Sequence, residues 1–201
     1  MSLAIIHTRA SVGIQAPAVS VEVHISNGMP NFTLVGLPEI TVKEAKDRVR
    51  SALINSGFSF PPKRITVNLA PADLPKEGGR FDLPIALAIL AASEQIPIAK
   101  LEQHEFLGEL ALSGEIKGIN GAIPAALSAF KEDRILILSV DNADELALIK
   151  EGSNLVAHSL IDVCNYLADV EDSSLSSPIA AEYVDNYLSQ LPDLKDIIGQ
   201  E

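Results

Sequence analysis

The chain contains 201 residues, 47% of them hydrophobic, which is enough for one substantial core with a small appendage. Its single cysteine excludes an intramolecular disulfide bond. No segment has the pattern of a signal peptide, and no apolar run is long enough to cross a membrane. We therefore expect a soluble cytoplasmic protein with one main domain.

The formal net charge of −12 is distributed unevenly along the chain. Residues 1–100 contain ten Lys and Arg against eight Asp and Glu, whereas residues 101–201 contain five against nineteen. A strongly acidic protein usually binds nucleic acid poorly, because phosphate contacts supply most non-specific affinity. The basic residues nevertheless cluster, and we consider them candidate DNA contacts. They are Lys43, Lys46, Arg48, Arg50, Lys63, Arg64, Lys76 and Arg80.

The first strong helix signal covers residues 42–56. Thr41 and Glu44 have capping-box spacing, and Gly57 is placed to end the helix. The apolar positions that recur at helical spacing are Val42, Ala45, Val49, Ala52 and Leu53. Four of the candidate DNA contacts belong to this helix. A solvated face with i,i+3 and i,i+4 ion pairs is the alternative interpretation of their charge.

An alternating strand that begins at Ile65 is followed by a Pro- and Gly-rich loop and an apolar helix over residues 83–92. We predict that Asp82 is the N-cap of this helix, with a catalytic carboxylate as the alternative. Arg80 stands beside the helix N-terminus, where a cation is unfavourable unless an anion offsets it. It is therefore expected to form an ion pair or to contact a ligand. The candidate partners are Asp73, Glu77 and Asp82.

The second half alternates strand and helix patterns. They predict a hairpin around Ser113-Gly114, a helix over residues 121–130 and two βα units over residues 135–167. We predict an α+β domain with an α/β-like mixed sheet. The expected division is a main domain over residues 1–168, a Ser-rich linker over 169–181 and a short helix with the start of a further module over 182–201.

Several motifs of catalysis and binding are missing. No GxxxxGK(S/T) loop occurs, so we expect no ATP hydrolysis by this chain alone. The histidines lack metal-binding spacing, and no metal site is predicted. Cys164 lies in a helical pattern that favours a buried, inert thiol. With no tryptophan, three tyrosines and six phenylalanines, the sequence indicates no platform for base stacking.

Two segments resemble motifs of the Lon protease domain. PKEGGRFD, from Pro75 to Asp82, is similar to the family's nucleophile loop PKDGPSAG, and GEIKGINGAIPA, from Gly114, is similar to the lysine-carrying motif GEVLPIGGLKEK. On these alignments Arg80 replaces the serine and Ile123 replaces the lysine. A Ser–Lys dyad needs a hydroxyl nucleophile and a neutral amine. The resemblance therefore implies a Lon-like fold, similar to ribosomal protein S5 domain 2, that has no catalytic residues.

Longer runs resemble the N-terminal domain of the Mg-chelatase-like AAA+ ATPases of the ComM/YifB type. They are LAIIHTRASVGI, the block from FTLVGLPE to LPIALAIL, and FLGELALSGEIKGINGAIPAA. The resemblance implies a non-catalytic domain that serves as scaffold and DNA contact in a hexameric ATPase. That ATPase promotes DNA branch migration in natural transformation.

The same resemblance implies where nucleotide binds. ATP and Mg belong to the full-length protein, and this chain alone is expected to hold no cofactor. The segment at Ile197, Ile198 and Gly199 would supply part of an adenine pocket that only the following module completes. Two other functions stay open. The domain recruits a protein or peptide to the ATPase, or it is a peptidase with a different nucleophile, such as Ser113 with Lys117.

Overall fold

The computed structural model describes residues 2–36, 42, 44–149, 151–171, 173 and 175–178. Within these residues the chain forms nine strands and five α-helices. The strands are β1 (Ser2–Arg9), β2 (Ala18–Ser26), β3 (Asn31–Val35), β4 (Arg64–Ala70), β5 (His104–Phe106), β6 (Glu109–Leu110), β7 (Ile116–Lys117), β8 (Ile135–Ser139) and β9 (Asn154–Ala157). The helices are α1 (Ala45–Asn55), α2 (Asp82–Ala92), α3 (Ala122–Lys131), α4 (Ala143–Leu146) and α5 (Leu160–Leu167).

Seven strands form one sheet in the order β3-β4-β2-β1-β5-β8-β9, and β6 pairs with β7 in a separate hairpin. β4, β2 and β1 are antiparallel neighbours, whereas β3 and β4 and the run β1-β5-β8-β9 are parallel. The predicted α+β domain with a mixed sheet is confirmed, and the architecture is consistent with a Lon-like fold.

The buried residues form two clusters, of which the larger includes Ile137 of β8 and the smaller includes Leu136 and Leu138, on the opposite face of the same strand. Alternate residues of β2 and β4 are buried, as expected for strands with one covered face. Helix α2 packs on β1 and β2, and all 11 of its residues are buried. Because it is enclosed on every side, its sequence is apolar on every side.

Helix α1 packs against α2 through the predicted apolar face, in which Ala45, Val49 and Leu53 are fully buried. The helix ends at Asn55, and Gly57 follows with a φ of 84° and donates its N–H to the oxygen of Ile54. The predicted helix and its stop are confirmed. The capping-box prediction falls partly on residue 41, which lies outside the described residues.

A buried ion pair connects the antiparallel and parallel parts of the sheet. Arg9 on β1 and Glu105 on β5 are 2% and 0% exposed, and two guanidinium nitrogens of Arg9 donate to the carboxylate at 2.6 and 2.7 Å. Arg9 also donates to the oxygen of Ala16 at 3.0 Å and pairs with Glu132 at 2.9 Å. Its charge and its donors are thus satisfied within the chain.

The C-terminal elements differ partly from the prediction. The helix of the first βα unit, α4, has only four residues, while α5 begins with a capping box in which the side chains of Ser159 and Asp162 each accept a backbone N–H. Beyond α5, Ser176 accepts a hydrogen bond from the N–H of Val156 on β9 at 2.9 Å. This part of the predicted linker therefore lies against the sheet edge. Residues 179–201 lie outside the described residues.

Candidate nucleic-acid interface

The loop before α2 differs from the sequence prediction. A 3₁₀ turn, Gly79–Phe81, precedes the helix, and Asp82 is its first residue and makes no capping bond. The Asp82 carboxylate, which is 1% exposed, accepts from Nε of Arg48 at 2.6 Å and Nη2 at 3.1 Å. It also accepts from the N–H of Leu110 at 3.3 Å. The N-cap prediction is wrong because α1 packs on α2 and brings a cation to this carboxylate.

The ion pairs predicted for Arg80 are also wrong. Among the described residues it forms no salt bridge with Asp73, Glu77 or Asp82, and it donates instead to the carbonyl oxygen of Asn120 at 2.6 Å. Asn120 belongs to the turn that precedes α3, the helix whose second residue is Ile123. The arginine aligned with the Lon serine thus contacts the turn that leads into the helix of Ile123. Neither side chain can act as its counterpart in the protease.

The alternative nucleophile pair has the wrong protonation state. Lys117 forms an ion pair with Glu115 at 2.6 Å, and this hydrogen bond raises the pKa of the Lys117 ammonium. A raised pKa keeps the amine protonated at neutral pH, and a protonated amine cannot accept the proton of Ser113.

We expect no peptidase activity from this protein, because neither pair of residues offers a hydroxyl beside a neutral amine. Hydrolysis of unfolded casein and labelling by a serine-reactive fluorophosphonate measure it. Ser113→Ala is the informative variant. Labelling or turnover that this substitution abolishes would contradict the non-catalytic interpretation.

Lys76 does not belong to a DNA-contacting surface. Its side chain is 0% exposed, and its ammonium donates to the oxygens of Gly36 at 3.1 Å, Leu74 at 3.0 Å and Pro71. Burial lowers the pKa of Lys76, while Asp73 opposes this shift. The lysine holds its own loop together, and we remove it from the predicted set.

Three further candidates are assigned as follows. Arg80 is buried and Arg48 is engaged by Asp82, so their charges are directed at the interior. Lys43 lies outside the described residues. The remaining four cations are exposed, and they are Lys46, Arg50, Lys63 and Arg64.

Two phenylalanines accompany these four cations. The rings of Phe32 and Phe60 are 6.5 Å apart, and the Arg50 guanidinium lies 5.1 Å from the centre of the Phe60 ring. The parallel pairing of β3 with β4 places Phe32 opposite Ile65, directly after the Lys63-Arg64 dipeptide. The sequence analysis did not anticipate this pair of neighbouring rings. The segment FSFPPKR, with aromatic and basic residues adjacent, was the available signal.

These residues surround a groove of about 280 Å³, which we call the basic-aromatic groove. Its charged lining residues are Lys46, Arg50 and Lys63, and none of the described residues that line it is acidic. The other lining residues are Pro30, Asn31, Phe32, Phe60, Pro61 and Pro62. Lys46 and Arg50 are one helical turn apart on α1, so both project from the same face. Cations beside aromatic faces are the chemistry by which proteins hold a nucleic-acid strand.

No helix in the described part of the chain combines the length with the apolar character that crossing a bilayer requires.

Cys164 on α5 is buried, and burial raises the pKa of its thiol to about 12, so a reactive thiolate is not available at neutral pH. The predicted burial of this thiol is confirmed.

The chain belongs to the family described as subunit ChlI of Mg-chelatase, which it matches over residues 21–142. It is 56% identical over 202 residues to the competence protein ComM of Haemophilus influenzae and 55% identical over 201 residues to the uncharacterized protein YifB of Escherichia coli. An uncharacterized protein of Mycobacterium tuberculosis is 33% identical over 189 residues, which cover 94% of this chain and 37% of that relative.

The matches to ComM and YifB cover 100% of this chain but only 40% and 39% of the relatives. The chain thus spans about two fifths of the length of these curated relatives. The resemblance to the N-terminal region of ComM and YifB is confirmed.

Proposed function

We propose that this chain is the non-catalytic N-terminal domain of a ComM/YifB-type Mg-chelatase-like ATPase. In this proposal the longer protein binds ATP and Mg, assembles as a hexamer in the cytoplasm and moves branched DNA. The domain supports the ring and contacts the DNA. The observation that carries the DNA contact is the basic-aromatic groove, where cations and phenylalanine rings meet with no carboxylate among the described lining residues.

The groove suits a strand whose phosphates and bases are both accessible. Lys46, Lys63 and Arg64 would contact phosphates, and a base would stack on the Phe32 and Phe60 rings beside Arg50. Stacking of a base on an aromatic side chain contributes about 1–3 kcal/mol and tolerates any base sequence. Such tolerance suits a motor that has to move along DNA of any sequence.

A single copy offers few phosphate contacts, so binding should be weak. We expect a Kd around ~10⁻⁴ M for this chain, with a shallow salt dependence. Six copies in a ring would act through effective concentration and give tighter and more salt-sensitive binding. Fluorescence anisotropy with labelled single-stranded and duplex oligonucleotides measures the affinity of this chain and of the assembled ring.

Reversal of two groove cations, Lys46→Glu with Arg50→Glu, is expected to abolish DNA binding by this chain. The same substitutions should weaken DNA binding and branch migration by the longer, assembled protein, because each subunit loses two phosphate contacts and gains two repulsive charges. Surface changes of this kind usually alter stability by less than about 0.5 kcal/mol, so folding should persist. Thermal melting and size-exclusion chromatography check folding and assembly.

The matched control is Lys117→Glu with Lys131→Glu, which changes the net charge equally at exposed lysines outside the groove. Equal loss of affinity in both double variants would indicate that only net charge matters. Unchanged affinity and branch migration in the groove variant, with the ring assembled, would contradict the DNA contact. The cations would then belong to a solvated helix face. Phe60→Leu adds a separate test, since it should weaken single-strand binding while the cations remain.

A further inference from the structure

A second cavity adjoins the basic-aromatic groove. Its volume is about 400 Å³, and its lining includes Pro30 and Asn31, which also line the groove. The two cavities are therefore adjacent, and together we call them the two-cavity track. The other described residues that line the second cavity are Gly28, Met29 and Arg64.

The cations along this track are not neutralised by carboxylates of the described residues. None of the ion pairs in that part of the chain involves the four exposed cations, which are Lys46, Arg50, Lys63 and Arg64. Arg48, on the same helix as two of them, pairs with Asp82 and with Glu44. In a chain with a net charge of −12, such a group of cations fits a phosphate backbone.

The cations are divided between the two cavities. Asn31 on β3 pairs with Arg64 on β4, and Asn31 lines both cavities. Lys63, the preceding residue, lines the groove, whereas Arg64 lines the second cavity. A row of phosphates that passes from one cavity to the next would therefore meet a positive charge in each.

Met29 places an apolar side chain at the second cavity. It belongs to the turn between β2 and β3 and is 88% exposed. The thioether of methionine is flexible and polarisable, and it makes favourable contacts with aromatic rings. Met29 can therefore contact a base in the second cavity, as the two phenylalanine rings can in the groove.

The rings of the groove are recessed. Phe32 and Phe60 are half-buried, and Pro61 beside them is buried. In a duplex each base is covered by its neighbours in the stack, so its face cannot reach a recessed ring, whereas an unpaired strand can turn its bases towards the protein. Duplex DNA could meet the exposed cations through its phosphates and nothing deeper.

We propose that the two-cavity track binds an unpaired DNA strand of at least two nucleotides. One base lies against Phe32 and Phe60, the strand continues past Asn31, and the next base lies against Met29 while Arg64 contacts a phosphate. This inference rests on the DNA contact proposed for the groove. It extends that contact by naming the form of the DNA and by adding the second cavity.

The test compares a twelve-residue thymidine strand with a twelve-base-pair duplex in NMR titrations of this chain. The chain contains two methionines, so a ¹³C-labelled methyl group reports directly on Met29, while the Nε–H of Arg50 reports on the groove. We expect the strand to shift both signals and the duplex to shift that of Arg50 alone. The strand should bind at least about fivefold more tightly, because only unpaired bases stack.

Two variants examine the second cavity. Met29→Ala should weaken binding of the thymidine strand about two- to tenfold and leave duplex binding unchanged. Its control is Leu148→Ala, at a residue that is 71% exposed and lines neither cavity. Arg64→Gln should reduce the slope of log affinity against log salt concentration by about 0.7 for the strand, the value for one phosphate contact.

The outcomes separate this inference from the proposed function. A strand that shifts Arg50 but leaves the Met29 methyl signal unchanged would overturn the second cavity. Equal affinity for strand and duplex would overturn the assignment to unpaired DNA. The DNA contact of the groove would stand in both cases, whereas no shift of Arg50 with either DNA would contradict the proposed function itself.

Discussion

Arg9→Met is expected to lower the free energy of unfolding by about 3–5 kcal/mol, because it leaves Glu105 fully buried without its main counter-ion. Among the ion pairs of the described residues, Glu105 would keep the one with Arg134, whose Nη1 lies 3.2 Å from Oε1 of Glu105. Methionine fills most of the arginine volume, so the loss reports charge rather than packing. Urea denaturation followed by circular dichroism measures it.

The double variant Arg9→Met with Glu105→Leu tests the reason for this loss. Removing both charges abolishes the uncompensated carboxylate, so we expect the double variant to be more stable than Arg9→Met. Arg134→Met is the matched control at a more exposed guanidinium, and it should cost about 1 kcal/mol or less. A double variant less stable than Arg9→Met would show that packing between β1 and β5, not charge, dominates.

Arg48→Gln is expected to destabilise the protein by about 2–3 kcal/mol at neutral pH and by much less near pH 4. Burial already raises the pKa of Asp82, and the hydrogen bond and charge of Arg48 lower it again. Without Arg48 the folded-state pKa of Asp82 rises further above the ordinary value of 3.8. A carboxyl whose pKa is higher in the folded than in the unfolded state stabilises the fold fully at pH values below the unfolded-state pKa. This stabilisation is lost as pH rises through the folded-state pKa.

Measurement of unfolding free energy at several pH values between about 4 and 7 decides this prediction. The difference between Arg48→Gln and the unmodified chain should widen as pH rises. Arg50→Gln, on the exposed face of the same helix, should show a small difference that does not vary with pH. A constant deficit for Arg48→Gln would mean that Asp82 is not the group that responds.

This pair also orients the candidate interface. Arg48 lies on α1 between Lys46 and Arg50, and its bond to Asp82 fixes α1 on the start of α2. Loss of the pair should therefore loosen the helix that carries two groove cations. DNA binding by Arg48→Gln would then fall at neutral pH for a structural reason. Amide hydrogen exchange in α1 separates this effect from loss of a direct phosphate contact.

Local patterns determined most of the fold. The period of two in β2 and β4, the apolar face of α1 and the wholly apolar α2 each depend on residues close in sequence. The resemblance of two segments to the Lon motifs also identified Arg80 and Ile123 as the residues that replace the serine and the lysine of the dyad. Each of these patterns lies within one strand, one helix or one short motif, so it can be recognised without knowledge of distant contacts.

The partners of the charged residues were decided only by the tertiary structure. The sequence offered Asp82 as one partner for Arg80, yet Arg48 reaches Asp82 because α1 packs on α2 across 34 residues of chain. Lys76 could be recognised as buried only once its three carbonyl partners were in place. Phe32 and Phe60 meet because β3 pairs in parallel with β4. A side chain's local pattern determines which face it occupies, but its partner depends on which elements the sheet order and helix packing make adjacent.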